Sequence, residues 1–99
     1  MIETMSATSA ASMARSYLEP LAGALGSRGF LARVTHLGNG PSFVQAANRH
    51  APQLSERVFA AQADGAWWFW WSWAERIALV EDIEFTADKI AHVLTPQAA

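Results

Sequence analysis

Ninety-nine residues make one domain, and its features include a formal net charge of −2 and no cysteine. They exclude a disulfide framework, a thiolate nucleophile and a cysteine-based zinc site. Six arginines (Arg15, Arg28, Arg33, Arg49, Arg57 and Arg76) and the single Lys89 are scattered along the chain, so the basic stripe of a nucleic-acid binder is missing.

Hydrophobic residues make up 52% of the chain and charged residues 16%. The charged share lies below the ~25% usual in globular domains, so polar surface is scarce and self-association is expected. The lack of cysteine fits a reducing cytoplasm.

In chain order, Met1 to Arg15 is rich in Ser, Thr and Ala and has no basic region followed by an apolar core. It reads as a leader rather than a signal peptide, with residues 1–8 expected to be disordered and a single domain over 9–95. A helix is predicted from about Ser9 to Ser27, with Ala14, Tyr17, Leu18, Leu21 and Leu25 on one stripe. Pro20 either kinks it or starts a second helix. Gly26 and Gly29 end it.

Phe30 to Leu37 alternates and is rich in strand formers. The Asn39-Gly40 pair predicts a type I′ hairpin turn into a second strand, Ser42 to Asn48. Pro52 argues against ladder pairing in the following connection. Glu56 to Ala63 is the third strand, Asp64-Gly65 a second hairpin signal, and Ala66 to Ala74 the fourth strand. Glu75 to Glu81 is expected as a loop. A closing helix is predicted over about Asp82 to Leu94, with Asp82 as N-cap and Ile83, Ala87, Ile90 and Leu94 on one face. Pro96 ends it, leaving a tail over 96–99. The fold class is α+β: helix, four-stranded antiparallel meander, helix. The longest apolar run, Ala66 to Trp71, is too short to span a membrane.

The fourth strand is nearly unbroken aromatic. If Asp64 and Gly65 are the two loop residues, Trp67 faces Gln62, Phe69 faces Ala60, Trp71 faces Val58 and Trp73 faces Glu56 on one side. Trp68 faces Ala61, Trp70 faces Phe59 and Ser72 faces Arg57 on the other. Large apolar groups thus lie on both faces of one strand, and Trp71 is expected to be deeply buried. Three arrangements resolve this: helices on both faces, or Trp rings wrapped over the edge; a symmetric dimer; or a ligand or protein partner on the second face. The contact residues expected are Phe59, Arg57, Trp68, Trp70 and Trp73.

Chemistry-bearing motifs are sparse. His36, His50 and His92 stand outside metal-ligand spacing, so no metal or other cofactor is expected. No serine lies in a nucleophile elbow, and no glycine cluster forms a phosphate loop. Glu81, Asp82, Glu84 and Asp88 cluster where they favour the dipole of the last helix. Tryptophans can stack bases or sit at a membrane interface, but both modes need basic surroundings, so neither nucleic acid nor membrane is expected as a partner.

The segment from Leu54 to Leu94 carries Leu54-Ser55-Glu56-Arg57-Val58, Gly65 to Trp73, Ile77, and Ile90-Ala91-His92-Val93-Leu94. In this it resembles small actinobacterial proteins of unassigned activity, a resemblance that brings no catalytic residue with it. The helix, meander, helix order is similar to the dimeric type III secretion chaperone-like fold, which implies a dimer at the level of fold alone. The expected function is a non-catalytic interaction module, a homodimeric cytoplasmic accessory protein that binds another protein. Two alternatives stand beside it. One is a small-molecule binder in which Arg33, His36, Arg57 or Gln62 orients a polar ligand. The other is a minimal enzyme using His36.

Overall fold

A computed structural model describes residues 2–96. Helix α1 (Ile2–Ser27) is followed by β1 (Leu31–Thr35), β2 (Phe43–Ala47), β3 (Ser55–Ala63), β4 (Ala66–Trp71), β5 (Arg76–Leu79) and α2 (Ile83–Val93). The strands form one antiparallel sheet in the order β1-β2-β3-β4-β5. The fold is α+β, as the sequence predicts, with five strands in place of four. Met1 and residues 97–99, at the outer ends of the expected leader and tail, lie outside the described residues.

The helix starts at Ile2 rather than near Ser9, and it is one helix with Pro20 inside it. Pro20 has no N–H to give the Ser16 carbonyl. Both residues are exposed, so water can serve that carbonyl. Burial along α1 falls on the predicted stripe, with Leu18, Leu21 and Leu25 fully buried. The helix ends in a Schellman arrangement. Phe30 N–H donates to the Leu25 carbonyl at 3.1 Å and Gly29 N–H to Gly26 at 3.0 Å. Gly29 takes φ +90°, which a Cβ would oppose.

Asp64 and Gly65 take φ 52° and 77°, the two positive values of a type I′ turn, and the β3–β4 register is the one read from sequence as far as Trp71. The other hairpin differs. Its reversal is closed by Gly40 N–H on the Leu37 carbonyl, and Gly38, with φ 56°, supplies the left-handed residue instead of Asn39. The loop runs over 36–42, longer than the Asn39-Gly40 turn alone requires.

The expected loop after β4 contains the fifth strand. β4 stops at Trp71, and Ala74 (φ 67°) turns the chain back, with Trp71 N–H donating to the Glu75 carbonyl. A register shift between Phe69 and Trp70 leaves Ile77 as an extra residue. That bulge breaks the alternation, which is why a four-residue strand went unread.

Both helices lie on one face of the sheet. Leu18, Leu21 and Leu25 of α1 and Ala87, Ile90 and Leu94 of the α2 segment close on Val44, Ala46, Val58, Phe69, Trp71 and Val80. Two polar ties fix them there. Arg28, at the end of α1, pairs with Glu84 and Asp88 of α2, each at 2.9 Å. Asn48 donates to the Leu94 carbonyl at 2.8 Å while its Oδ1 accepts from the N–H groups of His50 and Ala51. Asp82 precedes α2, but its side chain does not cap. Its carbonyl instead accepts from both the N–H and the Oγ1 of buried Thr86.

Replacing Asn48 by Ala removes the side-chain partner of a helix-end carbonyl and of the His50 N–H, and leaves the Ala51 N–H only the backbone carbonyl of residue 48. Asn48→Ala should therefore cost about 2 kcal/mol, seen as a lower urea midpoint with an unchanged m-value.

Candidate functional site: the uncovered sheet face

Alternation assigns every strand residue to one face or the other. Register places Leu31, Ala47 and Ser55 in one cross-strand row on the face away from the helices. Arg33, Gln45 and Arg57 form the next row. Thr35, Phe43, Phe59, Trp70 and Arg76 form a third, and Ala61, Trp68 and Leu79 a fourth. The arrangement with helices on both faces is therefore not the one adopted: aromatic residues of β4 lie on both faces, and the helices cover one.

The open face is finished by arginine rather than by a helix. Arg76 lies over the rings of Trp68 (4.6 Å to centroid) and Trp70 (5.4 Å) and forms an ion pair with Asp64. Arg57 lies 4.8 Å over the Phe43 ring, which tilts against Phe59 at 5.4 Å. Phe43 is only 4% exposed although no helix covers it, because Arg57 and Phe59 do. Each such contact contributes roughly 0.5–1 kcal/mol at an exposed site. The indoles of Trp68 and Trp70 donate back to β3, to the carbonyls of Ala63 (2.9 Å) and Ala61 (3.2 Å). Both rings are half-buried. They are held to their own sheet yet have no second layer above them.

The expected contact residues divide on this geometry. Arg57, Phe59, Trp68 and Trp70 come together on the open face, and Arg33 joins them. Trp73 does not. It sits in the turn after β4 rather than opposite Glu56, because the strand ends two residues earlier. Its ring stacks on Trp71 (4.9 Å, 7°), its Nε1 donates to Glu75, and it is 52% exposed. Trp71 beneath it is buried, as predicted. Gln62 is exposed opposite Trp67, on the helix-side face, where Trp67 tilts against Tyr17 at 5.2 Å. His36 follows β1 and lines an open depression of about 350 Å³ with Arg15 and Ser42, away from the aromatic rows.

Three members of the face went unread in the sequence. Arg76 belongs to the unforeseen fifth strand. Phe43 and Gln45 needed the β1–β2 register, which the misjudged turn concealed.

Two open grooves flank Gln45. Gln45, Ser55, Glu56, Arg57 and Ser72 line one of about 470 Å³, and Leu31, Ala32, Arg33, Gln45 and Ala47 line the other, of about 340 Å³. These groups can hold anionic and apolar groups. No set of three carboxylate or imidazole side chains gathers among the described residues, and none of these helices is long and apolar enough to cross a membrane. The chain matches no family model, no curated protein and no solved structure.

Adjacent residues of β4 should respond very differently to truncation. Phe69→Ala, on the helix-covered face and fully buried, should cost about 3–5 kcal/mol. Trp70→Ala, half-buried on the open face, should cost less than half of that. Urea denaturation of the two variants checks the contrast.

Proposed function

We propose that this chain is a non-catalytic interaction module that binds another protein through the open aromatic face of its sheet. The observation that carries the reading is one-sided cover: both helices pack on one face, and the other presents Phe59, Trp68, Trp70 and Leu79 with arginines among them. These four are half-buried and Leu31 on the same face is exposed, and a contiguous apolar surface without a covering layer marks interaction sites in soluble proteins. Tryptophan and arginine are also the residues that most often dominate binding energy at protein interfaces. The grooves beside Gln45 are open rather than enclosed, which favours a broad partner over a small molecule that needs most of its surface buried. The absence of cysteine suits an accessory protein working in a reducing cytoplasm.

A second copy of the chain is the competing occupant, favoured by the low charged fraction of the sequence. It is disfavoured by charge. A two-fold pairing of this face sets the arginine rows of two copies toward one another, and like charges juxtaposed in an interface are costly.

Selection of short random peptides displayed against the immobilised protein tests the reading. Selected peptides should lose binding to Phe59→Ser and Trp70→Ser and keep it to Glu19→Lys on exposed α1, all three variants being checked for folding by circular dichroism. Peptides indifferent to both open-face changes would overturn it. Light scattering separates the competing occupant: a dimer that Trp70→Ser dissolves to a folded 10.8 kDa monomer would assign the face to a second copy.

A further inference from the structure

We infer that the partner of this face is an acidic, partly apolar protein segment whose carboxylates seat on the Arg33–Gln45–Arg57 row. The inference rests on the reading that the open face is a binding surface, and it names the chemistry of what binds. Arg33 and Arg57 are both exposed and neither forms an ion pair or donates a hydrogen bond among the described residues. Register sets them on either side of Gln45, so their backbones stand about 10 Å apart across two strand spacings. Each guanidinium offers five N–H donors in a planar fork that matches a carboxylate, and the Gln45 amide adds two more donors between them.

Charge is distributed to match. No Asp or Glu holds a register position on the open face. Asp64, at the hairpin tip, is paired with Arg76. Glu56 borders one groove, but it alternates to the helix side and forms no ion pair with Arg57. The acidic residues Glu84 and Asp88 lie on α2, across the sheet. A chain of net charge −2 thus presents a positive face, and complementary potential favours a negative partner. Stacking on Phe43 holds Arg57 in place before binding, which lowers the entropy lost when it engages. Leu31 and Phe59, in the adjacent rows, supply the apolar part of the contact.

A nucleic-acid strand would be a different partner for the same cations. It needs free ring faces on which bases stack. Here Arg76 lies over Trp68 and Trp70, and Arg57 over Phe43. The closed rings favour the protein segment.

The test uses fluorescence anisotropy with three labelled probes: a short peptide of glutamate and leucine, its glutamine-for-glutamate counterpart, and a short oligothymidylate. The acidic peptide should bind most tightly and weaken as salt rises from about 0.05 M to about 0.5 M. Arg33→Ala and Arg57→Ala should each weaken it about three- to tenfold. The double variant Arg33→Glu/Arg57→Glu, checked for folding by circular dichroism, should lose the acidic peptide and gain binding of a lysine-leucine peptide. Equal binding of the glutamine peptide, tighter binding of the oligothymidylate, or an acidic peptide indifferent to both arginines would overturn the inference. The displayed peptides of the preceding test separate the two claims. If they need Phe59 and Trp70 but carry no excess of Asp and Glu, the acidic assignment fails and the binding surface stands.

Discussion

Six residues of β4, five of them aromatic, impose the constraint on which the rest of the molecule depends. A strand sends alternate side chains to opposite faces, so an aromatic run loads both. Two helices then face a choice of sides, and both take the same one. Phe69 and Trp71 go under Leu18, Leu21 and Ile90 with the core. Trp68 and Trp70 are left on a face that no helix reaches. Two long-range polar ties hold both helices there. Arg28 binds α2 to the end of α1, and Asn48 binds the end of α2 to the β2–β3 loop. With both ties on the same side of the sheet, neither helix can be spared for the other.

The open face solves its exposure problem chemically rather than by cover. Arginines over aromatic rings shield apolar area while keeping charge in water, and the two indole N–H groups are satisfied by carbonyls of the neighbouring strand. The result is an uncovered face rich in the residue types enriched at protein interfaces. Its charge also gives it a direction. Among the described residues Arg33 and Arg57 have no carboxylate of their own, whereas Arg76, on β5, pairs with Asp64 at the tip of the β3–β4 hairpin. Among the described residues the arginines without a carboxylate therefore lie on the β1–β3 part of the sheet, next to the aromatic rows.

Much of this was legible in the residues. Asp64-Gly65 fixed a hairpin whose register, once the loop length is taken as two, places each aromatic from Trp67 to Trp71 on its proper face. The α1 stripe and the α2 face were equally plain, because helix periodicity survives over many turns. What stayed hidden was hidden for stated reasons. A bulge at Ile77 erased the alternation of β5, and with it Arg76. Gly38, rather than Asn39, took the left-handed conformation, so the β1–β2 register and the neighbours of Arg33 could not be computed. Trp73 continues the alternation of β4, yet the strand ends at Trp71 and the chain turns back through Ala74 at positive φ. Which face the helices choose is a tertiary question, decided by contacts such as Arg28 to Asp88 that are 60 residues apart.

One face of the sheet packs into the core and the other carries no helix, and the proposed binding surface rests on that difference. Hydroxyl-radical footprinting read by mass spectrometry measures it in a single sample. Phe59 and Trp70 should be oxidised in the free protein while Phe69 is protected, and saturating acidic peptide should protect Phe59 and Trp70 without altering Phe69. Equal protection of Phe69, Trp70 and Phe59 in the free monomer would show both faces covered within one chain and would contradict it.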